Sequence, residues 1–117
     1  MDYMPNSAFW DALDWLYRHS KIIIDRPKGT AHPRYSSFIY PLDYGYLENT
    51  SSMDGDGIDV YVGSQKDRKI DAILCTVDTL KKDSEIKLLV GCTAEEKELV
   101  YQMHNDTASM KGILILR

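Results

Sequence analysis

Tyr40-Pro41-Leu42-Asp43-Tyr44-Gly45-Tyr46, followed within a few residues by Asp54-Gly55-Asp56-Gly57-Ile58-Asp59-Val60, is the stretch on which the reading of this chain turns. The second segment sets three carboxylates within six residues, with glycines between them. Glycine lets a backbone bend sharply, so the acids can converge. Hard cations such as Mg2+ take oxygen ligands, and carboxylates supply them. Anions held this close repel strongly without a counter-ion. From Ile58 onward apolar and polar side chains alternate, as in a half-buried strand, with Ile58 and Val60 on one face and Asp59 and Tyr61 on the other. An EF-hand does not fit, because its fifth ligand position would fall on Ile58 and its turn glycine on Asp59. The three tyrosines of the first segment can donate to phosphate oxygens. Taken one at a time, the acidic run also reads as a solvated turn and the tyrosines as core packing.

Upstream lies a basic loop broken by proline and glycine, with Arg26, Lys28, His32 and Arg34. Arginine recognises phosphate with paired donors and lysine as a compact charge, although such a loop alone reads equally as solvated surface. Around this centre the periodicity predicts helices over 7–19 and 93–104. In the first, Phe9, Leu13, Leu16 and Tyr17 can share a face with Trp10 beside them, and Asn6 or Ser7 can cap it. The second opens on the capping box Thr93-Ala94-Glu95-Glu96. Strands are expected at 21–25, 38–40 (brief), 44–47, 58–62, 70–77, 86–90 and 112–116, with a charged linker over 78–85. Short strands bracketed by two helices suggest a small mixed barrel with helices outside, mainly β in an α+β arrangement. No repeat or linker divides the chain, so residues 1–117 read as one domain.

The 117 residues are 44% apolar and 27% charged, with a formal net charge of -4. That is globular composition. The mild acidity argues against nucleic acid or an anionic membrane as partner, since both need a basic field. Cys75 and Cys92 show no CxxC spacing and read as buried free thiols in a reducing compartment. Met1 to Asn6 carry no basic leader, and no apolar run is long enough for a bilayer. A cytoplasmic protein is expected.

The order Tyr-Pro-x-x-Tyr-Gly-Tyr, a short spacer, then Asp-x-Asp-x-x-Asp-Val resembles the soluble (family I) inorganic pyrophosphatases, clearly from Ile22 to Val62 and more loosely through Cys92. It is most similar to the short bacterial members. The resemblance implies a five-stranded OB-like barrel with an N-terminal and a C-terminal helix. It implies hydrolysis of pyrophosphate to two phosphates by metal-activated water with several Mg2+ ions, or Mn2+, in an enzyme that often assembles as a homo-oligomer. By the same resemblance Asp54 and Asp59 are metal ligands, Asp25 replaces a glutamate near the metals, Asp56 orients or deprotonates the water, and Tyr44 contacts phosphate. Asp78, Glu85 and Lys87 match a second acidic segment. Its Asp78-to-Glu85 spacing is longer than the family pattern, and Asp83 competes with Glu85. Arg34, Lys28 and Tyr40 complete the expected substrate contacts. The C-terminal Tyr-Lys pair of the family is absent, because that stretch reads Met103-His104-Asn105-Asp106. Weakened turnover, hydrolysis of a larger phosphoanhydride such as a nucleotide derivative, and a non-catalytic barrel that binds metal or phosphate are the alternatives.

Overall fold

The structure is a computed structural model that describes residues 3–117. Met1 and Asp2, part of the opening stretch read above, lie outside the described residues. Two helices and six strands follow in the order α1 (Ser7–Arg18), β1 (Ile22–Arg26), β2 (Asp43–Leu47), β3 (Ile58–Val62), β4 (Ile70–Asp78), β5 (Asp83–Val90), α2 (Ala94–Met103) and β6 (Met110–Leu116). The strands form one sheet in the order β1-β2-β3-β5-β4-β6. Neighbours are antiparallel except β3 and β5, which run parallel with Val60 opposite Leu88.

This corrects the five-stranded barrel. Among the described residues there are six strands, and β1 and β6 are the edges of an open sheet. The β4–β5 hairpin explains the difference, since its long arms let β6 add along β4 from Ala72 to Asp78. The expected linker over 78–85 contracts to a turn at 79–82. Asp78 Oδ1 accepts the Leu80 and Lys81 N–H groups there. The expected strand at 38–40 is a single bridge, Ala31 to Ile39. The 27–42 loop folds on itself instead, with Gly29 N–H on Tyr40 O at 2.9 Å and His32 N–H on Phe38 O at 2.8 Å.

The pleat divides the core in two. Leu47, Val60, Val62, Ile70, Ile73, Leu88 and Val90 meet Trp10 of α1 on one face. Tyr40, Leu42, Tyr61, Ala72, Leu74, Leu89 and Cys92 meet Val100 of α2 on the other. Burying each large apolar side chain contributes about 1.5–3 kcal/mol. In α1 it is Trp10 that is buried, while Phe9 stays 36% and Trp15 55% exposed. Cys92 is buried as expected, but Cys75 is only half-buried; both are free.

Two glycines bring the site's parts together. A Cβ on Gly45 would collide with the carbonyl of Ile23, so the Tyr-Gly-Tyr centre lets β1 lie against β2. A Cβ on Gly57 would stand 2.7 Å from the Tyr46 ring and 2.8 Å from Leu47 O, so this glycine lets the acidic loop close onto β2.

Candidate active site

Asp59 and Tyr61 alternate with Val60 and Val62 on β3 and face the α2 side of the sheet. On β5 the same alternation brings Glu85 and Lys87 to that side, in line with Leu89. Tyr44 lies directly across from Tyr61 on β2. Here Lys87 is the hub. Its Nζ donates to Asp59 Oδ2 at 2.8 Å, Glu85 Oε2 at 3.0 Å and the Tyr44 hydroxyl at 3.0 Å. An ammonium has three N–H donors, and these bonds use all of them. The Lys87 side chain is 8% exposed, that of Glu85 10% and that of Asp59 19%. Burial pushes the Lys87 ammonium down, but Asp59 and Glu85 outweigh it and hold it above its ordinary value.

The acidic loop adds a third carboxylate. Asp54 Oδ1 accepts the Ser52 hydroxyl at 2.8 Å and the Asp56 N–H at 2.9 Å, and its carboxyl lies near enough to that of Glu85 for each to influence the other. Glu85 therefore meets Lys87, Asp59 and Asp54 together. Burial, and then the neighbouring acids against the pull of Lys87, raise its carboxyl to about 7. Burial also pushes Asp54 up, but Glu85 and the bonds from Ser52 and the Asp56 N–H keep it low. Asp59 and Glu85 thus share one lysine, with Asp54 beside them, and burial among these acids favours the protonated form of Glu85.

That donor set fits a hard divalent cation. It offers oxygen ligands, and a cation relieves the repulsion that the proton now relieves. Asp54, Asp59 and Glu85 are the residues able to hold it. Among the described residues, no three such groups are already arranged around one ion position.

The other expected residues are distributed around this cluster. Asp56 is exposed, and its backbone ties it into the loop. Asp25 is exposed at a bulge of β1. The Asp78 carboxylate caps the β4–β5 turn, away from Lys87. Asp83 pairs opposite Asp78 at the hairpin end, so Glu85 is the acid that reaches the lysine. Tyr40 is buried and stacks on Tyr44 with ring centroids 5.1 Å apart. The Lys28 N–H donates to Asp43 while its side chain is exposed. Arg34 is exposed in the 27–42 loop. Burial, and then Arg26, Lys81 and Arg34, push the His32 imidazole down, so a rim of cations surrounds His32.

Two residues gain a place that the sequence reading does not give them: Arg26, read only within the basic loop, and His104. Arg26 donates to the Tyr40 hydroxyl at 2.7 Å. Strict alternation would send it to the face of Ile22 and Ile24. The bulge between Ile24 and Arg26 instead sets it opposite Tyr44, on the site face. His104 is read as a helix-end residue, and it does cap α2. It is also buried, with Nε2 2.9 Å from the Tyr61 hydroxyl.

A sequence profile of the inorganic pyrophosphatases matches residues 17–108, which includes every residue of this cluster. The chain belongs to the inorganic pyrophosphatase family. Inorganic pyrophosphatases of Geobacillus stearothermophilus and of Bacillus sp. strain PS3 are each 34% identical to it over 70 residues, covering 53% of this chain and 41% of the relative. The chain thus spans less than half the length of the curated relatives it matches. A solved structure of inorganic pyrophosphatase from Helicobacter pylori superposes with a TM-score of 0.63 at 16% identity, covering 84% of this chain and 85% of that one. The pyrophosphatase fold therefore extends over most of the chain.

Proposed function

We propose that this chain hydrolyses inorganic pyrophosphate to two phosphates in a Mg2+-dependent reaction. The observation that carries the reading is the convergence of Asp59 and Glu85 on one buried lysine, with Asp54 of the acidic loop beside Glu85, in a member of the pyrophosphatase family. When bound there, Mg2+, or Mn2+ in its place, neutralises phosphate charge and makes water a better nucleophile. The chain's own groups do the rest. Lys87 fixes Asp59 and Glu85. Tyr44, whose hydroxyl burial and Asp59 keep protonated, can turn its one donor from Asp59 to a phosphate oxygen. Arg26 spends one donor on Tyr40 and retains others for phosphate. Asp56, exposed at the loop tip, is suited to orient the attacking water and accept its proton. Asp25 and Asp78 take part as ligands only if their carboxylates leave the bulge and the turn. Lys28 and Arg34 contact substrate by folding inward from an exposed loop. Lys87 contacts it by exchanging one of its three bonds.

A second reading is hydrolysis of a larger phosphoanhydride. Tyr35, 55% exposed, lies with its ring 5.1 Å from His32 on the cationic rim, where a base could stack. A substrate panel with saturating Mg2+ separates the two. Preference for pyrophosphate over every organic diphosphate supports the first reading; preference for a nucleoside diphosphate overturns it.

We further infer one domain that acts as a homo-oligomer in the cytoplasm. The exposed Val77, Ile86 and Ile113 on adjacent strands support self-association. The free cysteines support a reducing compartment. No helix among the described residues is long and apolar enough to cross a membrane. Light scattering that gives the mass of a single chain would refute the oligomer.

A further inference from the structure

His104 is the buried titratable group that the proposed reaction does not use. It ends α2, where its backbone N–H bonds Val100 O at 3.2 Å. The segment beyond is clamped by the Asn105 amide, which bonds Tyr101 O at 2.9 Å, Gly112 O at 3.1 Å and the Gly112 N–H at 3.1 Å. His104 is thereby held between α2 and β6, 5% exposed. Tyr61, opposite it, is 1% exposed. A buried hydroxyl needs a partner, and Nε2 of His104 at 2.9 Å provides it.

The contact does more than satisfy two polar atoms. The Tyr61 ring stands edge-on to Tyr44 with centroids 4.7 Å apart. The Tyr44 hydroxyl in turn accepts from Lys87, which holds Asp59 and Glu85. A continuous series of contacts thus runs from the end of α2 to the acid cluster. If His104 lost its nitrogen, the Tyr61 hydroxyl would be buried without a partner. The polar groups nearest along this series are Tyr44 and the Lys87 cluster, so the hydroxyl would compete for them.

We propose that His104 is a positioning residue that, through the Tyr61 hydroxyl and the Tyr44 ring, holds the Lys87 ammonium on Asp59 and Glu85. Its consequence for catalysis rests on the function proposed above, but its structural content does not. The test is therefore made on the protein without metal or substrate. An ammonium with three acceptors and little exposure should give a protected 15N–1H signal for Lys87 Nζ. That signal is expected in the wild type and in His104→Gln, whose amide can still reach Tyr61. It should broaden beyond detection or shift in His104→Leu. Tyr61→Phe removes the same bond from the other side and decides the matter if His104→Leu does not fold.

Absence of the signal in the wild type overturns the inference. So does an unchanged signal in both His104→Leu and Tyr61→Phe, even if melting temperature falls, because that leaves His104 a structural pair only. If the wild type hydrolyses no pyrophosphate, the proposed function fails while the NMR comparison still decides this point. If it does, kcat should fall on the order of tenfold or more in His104→Leu with KM little changed, and return in His104→Gln.

Discussion

Glu85→Gln isolates the proton held inside the acid cluster. In the folded chain the Glu85 carboxyl is raised from its ordinary 4.5 to about 7, first by burial and then by its neighbouring acids. The folded state therefore binds more protons than the unfolded one between these values. Stability from this group is fully present below about pH 4.5 and is lost as pH rises through about 7. A rise of this size corresponds to about 3 kcal/mol, and the side chain is only 10% exposed, so solvent screens little of it. Urea unfolding in chelator at about pH 5 and pH 8 reads the difference. The wild type should lose on the order of 3 kcal/mol from this group across the interval. Glu85→Gln, which cannot ionise, should lose correspondingly less and be the more stable of the two at pH 8. Adding Mg2+ should stabilise the wild type more at pH 8 than at pH 5, since a cation takes the proton's place there. Equal pH dependence in wild type and Glu85→Gln would refute the reasoning.

Lys87→Met leaves Asp59 and Glu85 buried without their cation and should cost about 3–5 kcal/mol at neutral pH by chemical denaturation; a loss below about 1 kcal/mol would contradict the hub. Asp56→Asn should abolish phosphate release while calorimetry still detects Mg2+ binding, and retained turnover removes Asp56 from the water's path. Gly45→Ala drives a methyl into the Ile23 carbonyl and should cost about 3 kcal/mol or more, read as loss of folded protein or a much lower denaturation midpoint. Thr93→Ala removes the hydroxyl that accepts the Glu96 N–H and should cost about 1 kcal/mol with turnover unchanged.

The parts of the site that follow strand periodicity are legible in the sequence. Asp59 follows from alternation after Gly57, whereas Glu85 and Lys87 enter through resemblance to the family's second acidic segment, where Asp83 competes with Glu85. The capping box at Thr93 is likewise local chemistry, and it forms as read. What is not legible depends on irregular backbone or on distant partners. The bulge at Asp25 exchanges the faces of β1, so the acid moves outward and Arg26 turns inward. Asp78 matches its motif, yet the tight turn after it claims its carboxylate. His104 lies 43 residues from Tyr61, and no local pattern announces that bond. The strands at 70–77 and 112–116 are read from the sequence, but the count of five implied by the family resemblance omits the pairing of β6 along β4.

The most direct test is phosphate release from pyrophosphate as Mg2+ is titrated, in the wild type and in Asp59→Asn. The account predicts no release without metal, release that saturates with Mg2+ in the wild type, and a large loss in Asp59→Asn that excess Mg2+ only partly restores. Wild-type release that is independent of metal, or a fully active Asp59→Asn, would contradict it.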